Sequence, residues 1–505
     1  RLCQMSQICE IAERNNLLVI EDAAQAFGAR DIKFQPEPGW VSHRDYIYEE
    51  NYERARPETY QLVEKQYHLS KSHYFFKLRT RINSFKGLDN QSDISISWTP
   101  EYQSLIIHSA DIIRNGKTIR RLKVNNFEII QQEQNISRKS YNGNLTAFAK
   151  LKGVRKGDVI EYSYSIIGKN PVLKNDYVSS FSLEYSSPIE NFYFNFINEK
   201  TPINYKIICD RNAETPIVKK SDGRIEIFET NIQSVVSEDK QPSSFSNFGE
   251  IQFSTFNTWQ DVTDLFHPLY EEKLAEDMSL DEVKNLIKGD TAGNMVKCIR
   301  FVQDEIRYFG FETGIQGWIP KSASKVLEDR FGDCKEKSLL LVNLLQKLGV
   351  KAHPMLVNSS QKLYDKSKYL PSPYLFDHCI VKIHWKNTLV YIDPTISNQG
   401  GQIHNIYIPY YGLGLALSKE NKNLETVFTD PKTSSETIID ESFKITDIIK
   451  NTMSSEVKTQ HKGYEADRQR GYFLRTTYIE IKSAYEEFYR AYYNQIELDT
   501  IIFKD

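Results

Sequence analysis

Cys334, His378 and Asp393 follow one another in the second half of this chain, and together they are the makings of an activated nucleophile. A thiol attacks carbon only as the thiolate, so it needs a base or a positive potential beside it. A histidine can take the proton. A carboxylate can then hold that imidazole in one tautomer. The chemistry open to such a trio is attack on a carbonyl carbon through a covalent thioester.

The stretch Phe331 to Gly349 must position the cysteine. Gly332 permits a tight turn, and Asp333 is a good helix N-cap. Leu340, Leu341, Leu344, Leu345 and Leu348 recur at helical spacing, and Gly349 stands where a C-cap belongs. Cys334 therefore falls in the first turn of a buried helix. Unpaired amides and the helix dipole favour an anion there. A lone cysteine at such a place is more often a small buried hydrophobe, so the trio carries the argument.

His378 and Asp393 must be positioned by strands. His378 to Ile383 and Leu389 to Ile392 alternate and are rich in β-branched residues, with a hairpin turn read over Trp385 to Thr388. His378 opens one strand and Asp393 closes its partner, which brings the two within hydrogen-bonding reach. Cys379 points to the other strand face and reads as packing. His353, on a strand over Lys351 to Asn358, is a rival base without a partner strand ending in Asp, so it reads as structural.

Gly332-Asp333-Cys334-Lys335 before a Leu-rich helix, then Asp377-His378, then Asp393-Pro394-Thr395, resembles the transglutaminase-like superfamily of papain-like thiol enzymes over roughly residues 281–417. The resemblance implies catalytic roles for Cys334, His378 and Asp393. It also places a side-chain oxyanion donor or an aromatic cleft wall upstream, where Gln303, Tyr308 and Trp318 are candidates. Of these, Trp318, beside Gly317 and before Pro320, best suits a cleft. Beside an apolar helix each is more often core packing than donor. The backbone N–H of Cys334 is a further oxyanion donor.

A second resemblance is confined to the start. Residues 8–30, with Glu21-Asp22-Ala23-Ala24-Gln25-Ala26-Phe27-Gly28, are similar to a fragment of the pyridoxal-phosphate sugar aminotransferases. In that family the residues matching Asp22 and Gln25 face the cofactor. No Schiff-base lysine segment follows, so we expect no cofactor. Residues 31–59 read as a polar, proline-containing linker.

Residues 60–250 read as short strands broken by turn signals such as Asn115-Gly116 and Asp222-Gly223, hence an antiparallel β-sandwich. Bacterial transglutaminase-like proteins often carry such a domain of unknown function. Residues 251–420 read as the catalytic α+β domain, with Thr258 capping a helix and further helices over Asp281 to Ile287 and Gly293 to Tyr308. Residues 421–505 read as a partial, truncated β unit: strand-like Phe443 to Lys458, a long helix over Ala466 to Tyr493, and strand-like Glu497 to Phe503. The expected fold class is α+β.

The formal net charge of −3 gives no pull toward nucleic acid. No apolar run approaches the roughly 18 residues of a membrane span. The six cysteines hold no C-x-x-C pair, so neither a zinc site nor a disulfide framework is suggested. No metal is expected. The resemblance implies a cell-envelope location, although no secretory signal opens this sequence. The expected activity is hydrolysis of an amide or peptide bond in a protein or peptide. Amine transfer is also open, and no calcium loop or amine site favours it. The alternative is a binding module that keeps the fold without the chemistry. An aminotransferase is a third and poorer reading.

Overall fold

A computed structural model describes residues 32–48, 56–121, 126–131, 140–209, 215–236, 238, 240–242, 245, 248–276, 283–284, 286, 290–311, 314–360, 365, 368–427, 435–493 and 495–504. The molecule is of mixed α+β class. The aminotransferase-like stretch, residues 8–30, lies outside the described residues.

In the first half the principal strands are β1 (Glu58–His68), β2 (His73–Ile82), β3 (Asp93–Trp98), β4 (Ser104–Arg114), β5 (Glu128–Ile130) and β6 (Leu145–Lys150). They continue with β7 (Val159–Ile167), β8 (Val178–Ser182), β9 (Ile189–Ile197), β10 (Asn204–Ile208), β11 (Arg224–Ile232) and β12 (Glu250–Ser254). A nine-stranded sheet runs Lys33–Phe34, β4, β7, β2, β1, β9, β11, Val218–Ser221, with Lys117–Arg120 added on β4. Two three-stranded sheets, β3-β6-β5 and β8-β12-β10, pack on it. Ile94, Trp98, Ile107 and Ala147 fill one interface, and Phe181, Phe194, Phe196 and Phe253 the other. The sheet is mixed, since β1 pairs antiparallel with β2 but parallel with β9.

β1 carries Glu64, Lys65 and Gln66 in its middle, yet all three are buried. Residues 32–48, read as linker, are instead tied to the sheet. Lys33 and Phe34 pair with Ile106 and Ile107, and His43 and Tyr46 both hydrogen-bond Glu64. Polar composition misled the reading because the partners of these side chains are themselves buried polar groups.

The second half opens with α1 (Trp259–Ala275), α2 (Thr291–Arg300), α3 (Ala323–Asp329) and α4 (Cys334–Lys347). A five-stranded antiparallel sheet follows, in the order β15, β14, β13, β16, β17. These are β13 (Ala352–Val357), β14 (His378–Trp385), β15 (Thr388–Ile392), β16 (Leu413–Ala416) and β17 (Glu425–Thr426). Helix α4 lies on this sheet. Leu340, Leu341, Leu344 and Leu345 are fully buried against Ile299, Val302, Val381, Ile383 and Ile392. At about 1.5–3 kcal/mol per fully buried side chain, these four leucines hold the helix far more firmly than its propensity could.

The expected helix over Gly293 to Tyr308 stops early. After α2 comes one π-helical turn, Phe301–Glu305, and then a two-residue strand, Arg307–Tyr308, pairing with Phe331–Gly332. The helix expected over Asp281 to Ile287 lies largely outside the described residues; those described there form turns.

At the C-terminal end three expectations change. The alternating run is a hairpin, β18 (Glu436–Asp447) with β19 (Thr452–Lys462), turning through Asn451 at φ 52°. The long helix is two, α5 (Tyr464–Arg475) and α6 (Tyr478–Arg490), because Thr477 and Glu480 form a capping box that starts a new helix. Glu497 to Phe503 forms no strand.

Candidate active site

Helix α4 begins where the sequence places it. The Asp333 side chain accepts from the Glu336 N–H at 3.0 Å, and Glu336 Oε2 accepts from the Asp333 N–H at 2.9 Å. This reciprocal box fixes Cys334 as the first helical residue. At the other end Gly349 takes φ +75°, and the Val350 N–H donates to the Leu345 carbonyl, the closing bond of a Schellman cap. One turn past Cys334, the Ser338 hydroxyl donates to the Cys379 carbonyl at 3.0 Å, pinning the helix to β14 beside His378.

The β14–β15 register pairs Val381 with Ile392. One further step puts Asp393 across from Ile380, so His378 is its diagonal neighbour rather than its direct opposite. Long side chains span that diagonal. His378 Nε2 and Asp393 Oδ2 lie 2.9 Å apart. Cys334 lies near enough to the same imidazole to help raise it. Since Nε2 faces Asp393, Nδ1 is the nitrogen left for the thiol.

The carboxylate is held on every side. Asp393 Oδ1 accepts from the Thr395 N–H at 2.8 Å and its hydroxyl at 2.7 Å. Oδ2 accepts also from the Tyr411 hydroxyl at 2.5 Å. Burial alone would raise the Asp393 carboxyl. The His378 charge and the hydrogen bonds from His378, Tyr411 and Thr395 outweigh it and hold the group at about 2. Burial likewise would lower His378, but Asp393 and then Cys334 push it well above its ordinary range. The pair therefore stands as imidazolium and carboxylate.

The upstream candidates divide. Gln303 is buried, and its amide nitrogen donates to the Asp393 carbonyl at 3.0 Å and to Gln399 Oε1 at 2.7 Å. Both hydrogens are committed, so Gln303 braces the Asp393 backbone instead of serving an oxyanion. Tyr308 packs, half-buried, against the cluster that contains Cys334. Trp318 packs there too, stacked on Phe266 at 5.5 Å and edge-on to Tyr374 at 5.0 Å.

His353 sits on β13 opposite Lys382, four residues from Val357, which faces His378. At about 3.3 Å per residue that is roughly 13 Å along the strand. Burial lowers it to about 4, and it takes no part in the site. Cys379 is fully buried, as packing requires, and burial pushes its thiol up.

Sequence reasoning missed Tyr411 and Lys337. A Tyr-Tyr-Gly bend offers no cue that one hydroxyl reaches a carboxylate. Lys337 lies buried in the helix stripe, and its Nζ donates to the carbonyls of Ile306 at 2.6 Å and Gln303 at 3.3 Å. Those carbonyls are freed where the π turn ends. Among the described residues no group of His, Cys, Asp and Glu could hold a metal ion, and no helix is long and apolar enough to cross a membrane.

Comparison with known proteins adds the following. The model of a domain of unknown function, DUF3857, matches residues 70–235, within the β-sheet half. The DegT/DnrJ/EryC1/StrS aminotransferase family matches residues 1–33. Neither match reaches Cys334, His378 or Asp393. No curated protein matches the chain. A solved structure described as a "putative protease" from Parabacteroides distasonis is similar over 74% of this chain and 72% of its own, at TM-score 0.56 and 17% identity. That likeness concerns the fold alone. A "putative cysteine protease" from Cytophaga hutchinsonii is 11% identical, covering 81% of this chain and 93% of its own, and superposes at TM-score 0.18. Nothing is taken from that second match.

Proposed function

We propose that this chain is a transglutaminase-like thiol enzyme acting on amide or peptide bonds. The observation that carries the reading is the His378–Asp393 pair at 2.9 Å, with Cys334 near enough to raise the same ring. Asp393 stabilises the imidazolium, and His378 stabilises a Cys334 thiolate. The thiolate attacks the substrate carbonyl, and the oxygen that becomes negative is met by the Cys334 backbone N–H at the start of α4. His378 then gives its proton to the departing amine. The thioester left on Cys334 is resolved by water or by a second amine, which returns the proton to His378. Trp318 and Tyr308 line the approach. Hydrolysis of a protein or peptide is the favoured outcome.

One observation favours the alternative, a binding module: the Cys334 residue is only 3% exposed. Incubation with a peptide library, with and without an added primary amine, separates the readings. Cleaved or deamidated products that vanish in Cys334→Ala, while the melting temperature stays close to wild type, support the enzyme. Amine adducts would make it a transferase. Products unaffected by Cys334→Ala would overturn the assignment.

A further inference from the structure

A cavity of about 620 Å³ lies apart from the triad, between the large sheet, β8 and the 370–375 segment that leads into His378. Its size falls within the roughly 300–1,000 Å³ common for small-molecule sites. Aromatic side chains are prominent in its walls, among them Tyr67, Tyr74, Tyr177, Phe181 and Tyr374, alongside serines and amides. Into this setting β1 brings Lys65, which is 5% exposed. Its ammonium donates to the Ser182 carbonyl at 2.8 Å and lies over the Tyr185 ring at 5.2 Å.

Among the described residues no carboxylate forms an ion pair with Lys65, and burial alone pulls it down to about 7. An ammonium has three donors, and the Ser182 carbonyl takes one. A buried cation without an anion is costly, and an apolar residue of the same length would be more stable there. The Tyr177 residue is 4% exposed in the same wall, its hydroxyl beside those of Tyr67 and Ser179. Lys65 thus carries spare donors and no paired carboxylate beside a cavity. That arrangement is expensive unless something fills the space. Glu250 also lines the cavity, accepting from the Ser180 hydroxyl at 2.6 Å. Lys169 is a second cation in the lining, so two lysines stand against the single carboxylate of Glu250, an excess of one positive charge that suits a monoanion.

We propose that this cavity binds a small carboxylate with an aromatic body, its carboxylate on Lys65 Nζ and the Tyr177 hydroxyl and its ring among the tyrosines. The site is independent of the triad.

Calorimetric titration of the full chain with phenylacetate, and with phenylacetamide as the neutral match, tests it. Phenylacetate should bind at least tenfold more tightly than the amide. Lys65→Met should lose that preference while melting at the same or a higher temperature. Tyr177→Phe, which keeps the packing, should weaken phenylacetate severalfold. Cys334→Ala should bind as wild type does, so this result does not depend on whether the chain is an enzyme. Equal binding of acid and amide, undiminished binding by Lys65→Met or Tyr177→Phe, or no binding of phenylacetate would each overturn the proposal.

Discussion

The Tyr411 hydroxyl donates to Asp393 Oδ2 at 2.5 Å, the same oxygen that faces His378 Nε2 at 2.9 Å. One carboxylate oxygen thus holds the base and is held by a residue from the bend before β16. The Tyr411 ring also lies 5.7 Å from the His378 ring, so its body packs beside the imidazole. Tyr411→Phe keeps that packing and removes one donor from a buried anion. The expected cost is about 1–3 kcal/mol, read as a lower midpoint in denaturant. Alkylation of Cys334 should slow as well, because the imidazole is held less firmly. An unchanged midpoint and rate would show the hydroxyl to be idle.

Removal of the carboxylate is more severe. Asp393→Ala leaves a buried imidazole without its counter-ion, and breaking such a pair costs about 3–5 kcal/mol. The pH dependence has a definite sign. The Asp393 carboxyl is lowered from 3.8 to about 2 in the fold, so its contribution is complete above about 4. It is lost as the pH falls through 4 toward 2. Urea midpoints measured across that window should drop more steeply for wild type than for Asp393→Ala.

The tie between residues 35–48 and β1 predicts the opposite limb. His43 lies between Glu37 at 2.8 Å and Glu64 at 2.9 Å. Its hydrogen bonds to Glu37 and then Glu64 raise it to about 9, against partial burial. A group raised from 6.5 stabilises fully below that value and loses its contribution as the pH rises through about 9. His43 is partly exposed, so solvent screens the effect and the change should be small. Hydrogen exchange over residues 33–48, taken relative to the intrinsic rate at each pH, should quicken between pH 7 and 10 in wild type. In His43→Gln it should already be fast at pH 7. Protection independent of pH would contradict this assignment.

Much of the site was legible because its signals are local. Asp333, Cys334 and Gly349 mark a helix by cap chemistry, and the leucine stripe fixes its buried face. His378 and Asp393 flank a hairpin whose alternation and turn are both explicit, with Lys386 at φ 53° in the turn. The strands Asp93–Trp98 and Ser104–Arg114 were equally plain from alternation. β1 was not, because Glu64 and Gln66 are satisfied by partners distant in the chain. Tyr411 was hidden for the same reason, being joined to Asp393 only by the folded sheet. At the C-terminal end the missed cue was local: Thr477 and Glu480 at capping-box spacing divide the apparent long helix.

The central claim is that His378 activates the Cys334 thiol. Iodoacetamide alkylation across pH, read at each cysteine by mass spectrometry, compares wild type directly with His378→Ala. The account predicts that Cys334 alone reacts fast at about pH 6, below the range of an ordinary thiol, and slows sharply without His378. If Cys334 reacts no faster than an ordinary thiol, or equally fast without His378, the trio is idle and the binding-module reading replaces the enzyme.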